Sequence, residues 1–272
     1  MRLSTVSLLT TAVALAVATA QAAQQATPTA PTTPPALGGQ RRVPFGVGEV
    51  LQYEVRFGPL RVGRGSMEVT HVETVRGRPT WRTLFQVKGG TFFYHVEDRF
   101  ESWIDTLTLS SLRHVQDINE GSRDRERHFE IFPERQTYLE MEEQKAEQPS
   151  VAEPLDDGSF LYFIRTVPLE VGQTYTFQRY FRPDRNPVKI TVLRRERVKV
   201  PAGEFDAIVI SPSIKTKGIF SENGHAELWL SDDANRIILQ MKSQLKIGSL
   251  NLYLKSFRPA AAAETEAATT SP

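Results

Sequence analysis

Leu51-Gln52-Tyr53-Glu54-Val55-Arg56-Phe57-Gly58-Pro59 is the stretch that decides the fold class. Its apolar residues recur at every second position with polar residues between them, the pattern of a strand with one face buried and the other wet. Gly58-Pro59 ends the run and predicts a turn. Val62, Met67, Val69 and His71 resume the alternation after a change of register across Gly63 to Gly65, where a bulge or tight bend fits the missing side-chain bulk. Gly77-Arg78-Pro79 then precedes a strand over Trp81 to Val87. The same grammar recurs in Phe92 to Ile104, Leu107 to Asp117 and Arg125 to Phe132, so these segments are expected to be successive antiparallel strands.

One segment leaves this period. Phe160, Phe163, Ile164 and Val167 follow at helical spacing after Leu155-Asp156-Asp157-Gly158-Ser159, with Asp156 or Asp157 as the cap and Pro168 as the stop. A short helix laid against a sheet is predicted. The charged stretch Met141 to Glu153 before it reads as an exposed connection, so two halves are expected to join near 141–168. Strands return over Thr174 to Phe181, Val188 to Val200, Phe205 to Ile210, Ala226 to Leu230, Arg236 to Ser243 and Gly248 to Phe257. Pro201-Ala202-Gly203-Glu204 and Ser231-Asp232-Asp233-Ala234-Asn235 supply turns between them. The expected fold is mainly β: an extended, twisted antiparallel sheet or open barrel-like assembly with one short helix, with two separate sandwiches as the alternative.

Outward from this region the composition changes. Residues 44–258 are expected to fold, whereas 21–43 form a flexible Pro-, Thr-, Ala- and Gln-rich segment and 259–272 a disordered tail. Leu3 to Ala20 is an apolar run behind Arg2 that ends in Ala18-Thr19-Ala20, so residues 1–20 read as a signal peptide and the destination as the bacterial periplasm. The run is short of the ~20 apolar residues that span a bilayer, and no retained transmembrane segment is expected. The chain has no cysteine, hence neither a disulfide nor a lipobox anchor. With 33 Lys plus Arg against 32 Asp plus Glu, the chain's charge offers no case for a nucleic-acid partner.

Local chemical motifs are missing. His71, His95, His114, His128 and His225 are dispersed without metal-ligand spacing, so no metal and no cofactor are expected. His95, Glu97, Asp98, Glu101 and Asp105 form the densest acid and histidine neighbourhood. On a regular strand, however, Asp98 points away from His95, Glu97 and Glu101. Ser159 and Ser221 lie outside any GxSxG pattern, and no glycine-rich phosphate cradle is present.

The ordered set Leu51-Gln52-Tyr53-Glu54-Val55, the Gly58-to-Gly65 turn region, Val200-Pro201-Ala202-Gly203-Glu204-Phe205, and Trp229-Leu230-Ser231-Asp232-Asp233 with Arg236 and Ile247-Gly248 resembles the DUF3108 family of exported bacterial proteins. That resemblance implies a predominantly antiparallel β protein of the bacterial envelope with no established catalytic role. It supplies no active-site residues to carry over.

The expected function is therefore a noncatalytic periplasmic or envelope protein that binds an apolar ligand, a lipid or a polypeptide segment. Trp81, Phe85, Phe92, Phe93, Trp103, Phe160, Phe163, Tyr175 and Phe177 are the candidate apolar contacts, because aromatic rings left in a concavity between sheet and helix would hold such a ligand. Arg195, Arg197 and Lys199 share a strand face and are the candidate contacts to an anionic rim. The alternatives are a structural protein-interaction module that uses an exposed sheet edge, and an envelope hydrolase whose residues meet only on folding. An envelope protein is a further expected partner.

Overall fold

The computed structural model describes residues 43–91, 94–121, 123–142, 146–215, 226–244 and 249–261. Residues 1–42 and the tail beyond 261 lie outside this set, as do Phe92, Phe93, Ser221 and His225. The described chain forms a 14-stranded antiparallel sheet with a single short α-helix. The first strands are β1 (Val50–Phe57), β2 (Leu60–Val75), β3 (Arg78–Thr91), β4 (Tyr94–Asp105), β5 (Ser111–Glu120), β6 (Arg123–Phe132), β7 (Thr137–Glu140) and β8 (Gln148–Pro149). Each pairs with its predecessor, so this half is a meander that steps from β1 out to the edge at β8.

The chain then leaves the sheet through α1 (Asp157–Phe163) and a 3-10 turn over Ile164–Thr166 before starting at the opposite edge. From there β9 (Thr174–Phe177), β10 (Val188–Val200), β11 (Gly203–Ser213), β12 (Glu227–Ser231), β13 (Ile238–Gln244) and β14 (Ser249–Arg258) step back until β14 pairs with β1. The edges at β8 and β9 do not pair with each other, so the sheet is not closed into a tight barrel. Chain segments next to those edges do meet, through a parallel bridge between Leu155 and Tyr180.

The period-two pattern explains which side is buried. Leu51, Tyr53 and Val55 of β1, Met67 and Val69 of β2, and Leu252 and Leu254 of β14 enter one hydrophobic cluster. So do Val188, Ile190 and Val192 of β10 and the apolar side chains of α1. Gly58 takes the turn with φ at 56°, a conformation that costs glycine little. Gly63 and Gly89 face each other across β2 and β3, where a methyl group on Gly89 would come within 2.6 Å of the Val62 carbonyl oxygen. Only glycine permits that approach.

The helix starts where its cap dictates. Asp156 accepts hydrogen bonds from the Gly158 and Ser159 amides, both at 2.8 Å, and the Ser159 hydroxyl accepts from the Asp156 amide at 2.8 Å. These reciprocal bonds form a capping box that satisfies amides otherwise left without partners. Just beyond the helix, Arg165 is fully buried. Its guanidinium donates to both Glu49 oxygens, at 2.6 and 2.9 Å, and to the carbonyls of Pro44 and Asn235. One side chain thus ties the segment before β1 to the turn between β12 and β13.

Candidate functional site

Rings from successive strands line up across the inner face. Phe85 on β3 stacks beside Phe100 on β4 at 6.0 Å, Phe100 beside His114 on β5 at 6.4 Å, and His114 beside Phe129 on β6 at 6.1 Å. The row continues from Phe129 to Tyr138 on β7 at 6.2 Å and to Phe181 at 5.2 Å. The register sets this ladder, because Phe85 opposes Phe100 and His114 opposes Phe129.

A polar group interrupts the ladder at His114, which is 0% exposed. Its Nδ1 lies 2.8 Å from the Glu101 carbonyl oxygen and 3.4 Å from Asp156 Oδ1. The Asp156 carboxylate also accepts from Ser102 at 2.6 Å and from Ser111. Asp157 beside it accepts from the Gln116 amide at 2.6 Å and from the Tyr180 hydroxyl at 3.0 Å, and Arg185 donates to that hydroxyl at 3.1 Å. Burial pushes the Asp157 carboxyl above the usual range, and the neighbouring Asp156 adds to the rise; His114, Tyr180 and Arg185 only partly offset it. Burial likewise pushes the Tyr180 hydroxyl well up.

From Phe100 outward the inner face is less deeply buried among the described residues. Val96, Asp98 and Phe100 on β4, Ile118 on β5 and Arg127 on β6 are all only half-buried, next to Gln116. The cause is a mismatch of length. The seven-residue helix spans about 10 Å, while the twelve residues of β4 extend about 40 Å, so the helix covers only part of the strand.

The structure distributes the sequence-predicted residues unequally. Phe85, Phe160, Phe163 and Tyr175 are buried in the main cluster, and Trp81 and Phe177 are half-buried against it. Phe163 and Phe177 meet edge to face at 4.9 Å. Trp103 is separated from these by register. Trp81 opposes Ile104, so Trp103 shares the outer face with Arg82 and belongs to a second cluster with Val75 and Leu112. Guanidinium groups of Arg82 and Arg113 flank its ring at 5.2 and 5.3 Å. Arg195, Arg197 and Lys199 share one exposed strand face, each opposite a carboxylate: Asp232 at 2.8 Å from Arg195, Asp206 at 3.7 Å from Arg197 and Glu204 at 3.3 Å from Lys199.

Sequence reading missed Phe100, His114, Phe129, Gln116 and Asp157 as one neighbourhood. Their strand parity was readable, but nothing local indicates that β5 brings its histidine under the helix cap. A separate recess of about 450 Å³ is lined by Arg76, Arg78, Leu112 and Glu134, none of them a predicted contact. Among the described residues no cluster of three or more metal-ligating side chains occurs, and no helix is long and apolar enough to cross a membrane.

Ser102, His114 and Asp156 superficially make a Ser-His-Asp group. Ser102 Oγ is 3.5 Å from His114 Nδ1, but its short bond runs to Asp156, and all three side chains are sealed. A nucleophilic serine needs the ring nitrogen as its base and room for a carbonyl, and this arrangement provides neither.

The outer face carries cross-strand ion pairs, including Arg82 with Glu101 at 2.5 Å and Arg113 with Glu130 at 2.5 Å. Burial alone would raise the Glu130 carboxyl, yet hydrogen bonds from His128 and Arg113 and the charge of Arg76 hold it below the usual range. The bond from Arg194, then that from Trp229, lowers Glu196 similarly. A carboxyl with a lowered folded-state value stabilises the fold above its unfolded value, and that contribution is lost as pH falls through the folded value. The urea midpoint should therefore decline on acidification below about pH 4.3, the ordinary glutamate range. A midpoint unchanged between that pH and pH 3 would show that these pairs contribute nothing.

The sequence profile described as "Protein of unknown function (DUF3108)" matches residues 52–255. A beta-barrel-like protein of the domain of unknown function DUF1849 from Brucella abortus superposes with a TM-score of 0.53 at 10% identity, covering 81% of this chain and 100% of that one. That likeness concerns the fold alone. A candidate lipoprotein from Parabacteroides distasonis gives a TM-score of 0.36 at 13% identity, covering 79% of this chain and 98% of that one. A candidate exported protein with a YmcC-like fold from Bacteroides fragilis gives 0.29 at 12% identity, with 79% and 98% covered. No curated protein matches the chain.

Proposed function

We propose that this chain, which belongs to the DUF3108 family, is a noncatalytic periplasmic envelope protein that holds an amphiphile by its apolar part. The observation that carries the reading is the set of part-buried apolar side chains on the inner face of β4 and β5, Val96, Phe100 and Ile118, which among the described residues lie beyond the short helix and are less deeply buried than the core. Apolar surface left inside a concavity is stabilised by any apolar chain that displaces its water, at roughly 25 cal/mol per Å². Phe85 lies at the end of that floor. Phe160, Phe163, Tyr175 and the half-buried Trp81 and Phe177 form the packed wall behind it, and Trp103 stiffens the outer face.

Arg195, Arg197 and Lys199 complete the reading by meeting anionic groups of the envelope, exchanging their own carboxylate partners for lipid phosphates. Exposed ion pairs of this kind contribute only about 0–1 kcal/mol each, so the exchange is inexpensive. Export through the apolar segment Leu3 to Ala20 would deliver the protein to that surface.

Use of a sheet edge is less well supported. β9 covers only Val188–Thr191 of β10, and the rest of that open side carries Arg194, Arg195, Arg197 and Lys199. Charges placed along an edge strand discourage pairing with another chain.

Native mass spectrometry of protein released gently from its own envelope fraction tests the proposal. A defined lipid adduct, lost when Phe100 and Ile118 are replaced by aspartate, is the expected result. Bare protein, together with no uptake of a nonpolar fluorescent probe, would end it.

A further inference from the structure

The turn between β1 and β2 combines exposed apolar side chains with a basic surround. Between Glu54 and Glu68 the chain carries no acidic residue but has Arg56, Arg61 and Arg64, placed around the uncharged tip Phe57-Gly58-Pro59-Leu60. The strands stay paired to the end, with Phe57 opposite Leu60. Leu60 is 62% exposed, Gly58 and Pro59 are exposed beside it, and Phe57 is half-buried.

The charges behind this tip do not cancel. Arg56, at 2.5 Å, and Arg61 both draw on the Glu54 carboxylate, which leaves one cation over. Arg64 is exposed and meets no carboxylate among the described residues. Lys88, opposite Arg64 on β3, is taken by Glu97, which His95 also approaches. Asp98 lies on the other, inner face, and β14 on the opposite flank presents Asn251 and Tyr253 with no acid. Leu107 is more exposed still, at 71%, yet it sits at the other end of the sheet on a turn built round the Asp105 carboxylate. Exposure is common to both leucines; the surplus of positive charge belongs to Leu60.

An apolar tip gains by leaving water, and basic side chains behind it gain beside lipid phosphates. Pro59 has no N–H to leave unpaired, so the turn enters a head-group layer at little cost, but no deeper, because its other backbone groups still need partners. Its place in the sheet is also apt. Val96 pairs with Gly89, Gly89 with Gly63 and Gly63 with Val55, so the tip stands at the end towards which the floor runs from Phe100 to Val96.

We infer that the β1–β2 turn docks the protein on anionic lipid bilayers, with Pro59 and Leu60 among the head groups and Arg61 and Arg64 at the phosphates. This goes beyond the trough and stands on the turn alone; where both hold, an amphiphile passes between bilayer and floor at this end. Arg195, Arg197 and Lys199 run towards the opposite end of β10, each facing a carboxylate, so a contact there is a separate event.

The chain has no cysteine, so Leu60→Cys, Leu107→Cys and Lys199→Cys each take a single nitrobenzoxadiazole label. With phosphatidylcholine vesicles containing about 30 mol% phosphatidylglycerol, the label at position 60 should shift to the blue and be quenched by nitroxide-labelled lipid, while the other two stay as in buffer. In sedimentation of unlabelled protein with the same vesicles, Leu60→Asp should bind about tenfold more weakly than wild type. Arg64→Gln should bind about fivefold more weakly, and high salt should weaken the wild type at least as much. Both side chains are exposed, so these variants keep the fold. A label at position 60 indifferent to vesicles, or one at 107 that shifts equally, would overturn the docking. A shift at 199 alone would move the contact to the β10 rim, and equal binding of Leu60→Asp and wild type would also end the proposal. None of these outcomes touches the trough, whose lipid adduct is read separately by native mass spectrometry.

Discussion

Replacing Arg165 with methionine is expected to lower the unfolding free energy by about 3–5 kcal/mol, the usual penalty for breaking a buried ion pair from one side. The guanidinium is fully buried and the Glu49 carboxylate nearly so, with side-chain exposures of 0% and 4%. Removal of the cation leaves that carboxylate without its partner and deprives the Pro44 and Asn235 carbonyls of a donor. The methionine itself packs acceptably beside Phe45 and Tyr162, whose rings now lie 5.4 and 6.0 Å from the guanidinium carbon. Most of the loss is therefore electrostatic. The double variant Arg165→Met with Glu49→Leu should regain much of the stability, because no charge is then stranded. Urea midpoints of the single and double variants check both statements. A single-variant loss below about 1 kcal/mol would mean that water reaches Glu49 and that the tie is weak.

Arg165 also shows where a sequence stops being informative. The alternation of Leu51, Tyr53 and Val55 assigns the buried side of β1, since a one-residue slip would turn all three outward. An aspartate cap, Asp156 or Asp157, follows from its chemistry and its place before an apolar run, and the structure selects Asp156. Arg165, by contrast, sits in Phe163-Ile164-Arg165-Thr166, and its partner lies over a hundred residues earlier. No local pattern links them. The same holds for the aromatic ladder. Phe100 is flanked by Arg99 and Glu101, and Phe129 by His128 and Glu130, so each looks like an isolated ring on a charged strand. Only the register of β4, β5 and β6 puts them beside His114. Register also corrects the grouping of Trp81 with Trp103, whose opposite faces follow from the pairing of β3 with β4. β7 and β8 escaped notice because four and two residues are too few to display a period. What folds locally was legible, while what converges across the sheet was not.

That convergence gives Asp156 the second large expected effect. Asp156→Ala removes the acceptor for the Gly158 and Ser159 amides, a loss of about 1 kcal/mol for an ordinary helix cap. Here the same carboxylate also receives the hydroxyls of Ser102 on β4 and Ser111 at the start of β5. Both hydroxyls are buried, and leaving such donors unpaired adds about 1–3 kcal/mol. A total loss of about 2–4 kcal/mol is expected in thermal or urea unfolding. Asp156→Asn should lose less, because its amide oxygen still accepts the cap bonds while its NH2 group meets one hydroxyl as a donor. The local consequence reaches further than the number. Asp157 is the next residue, and its bonds to Gln116 and Tyr180 hold only if the first helical turn is anchored to β4 and β5. Asp156→Ala at a temperature where it remains folded should therefore free Asp157 from Gln116 and Tyr180 and loosen the first helical turn before the sheet itself unfolds. If stability fell by the cap term alone, Ser102 and Ser111 would have found other acceptors, and the helix would not depend on the sheet for its position.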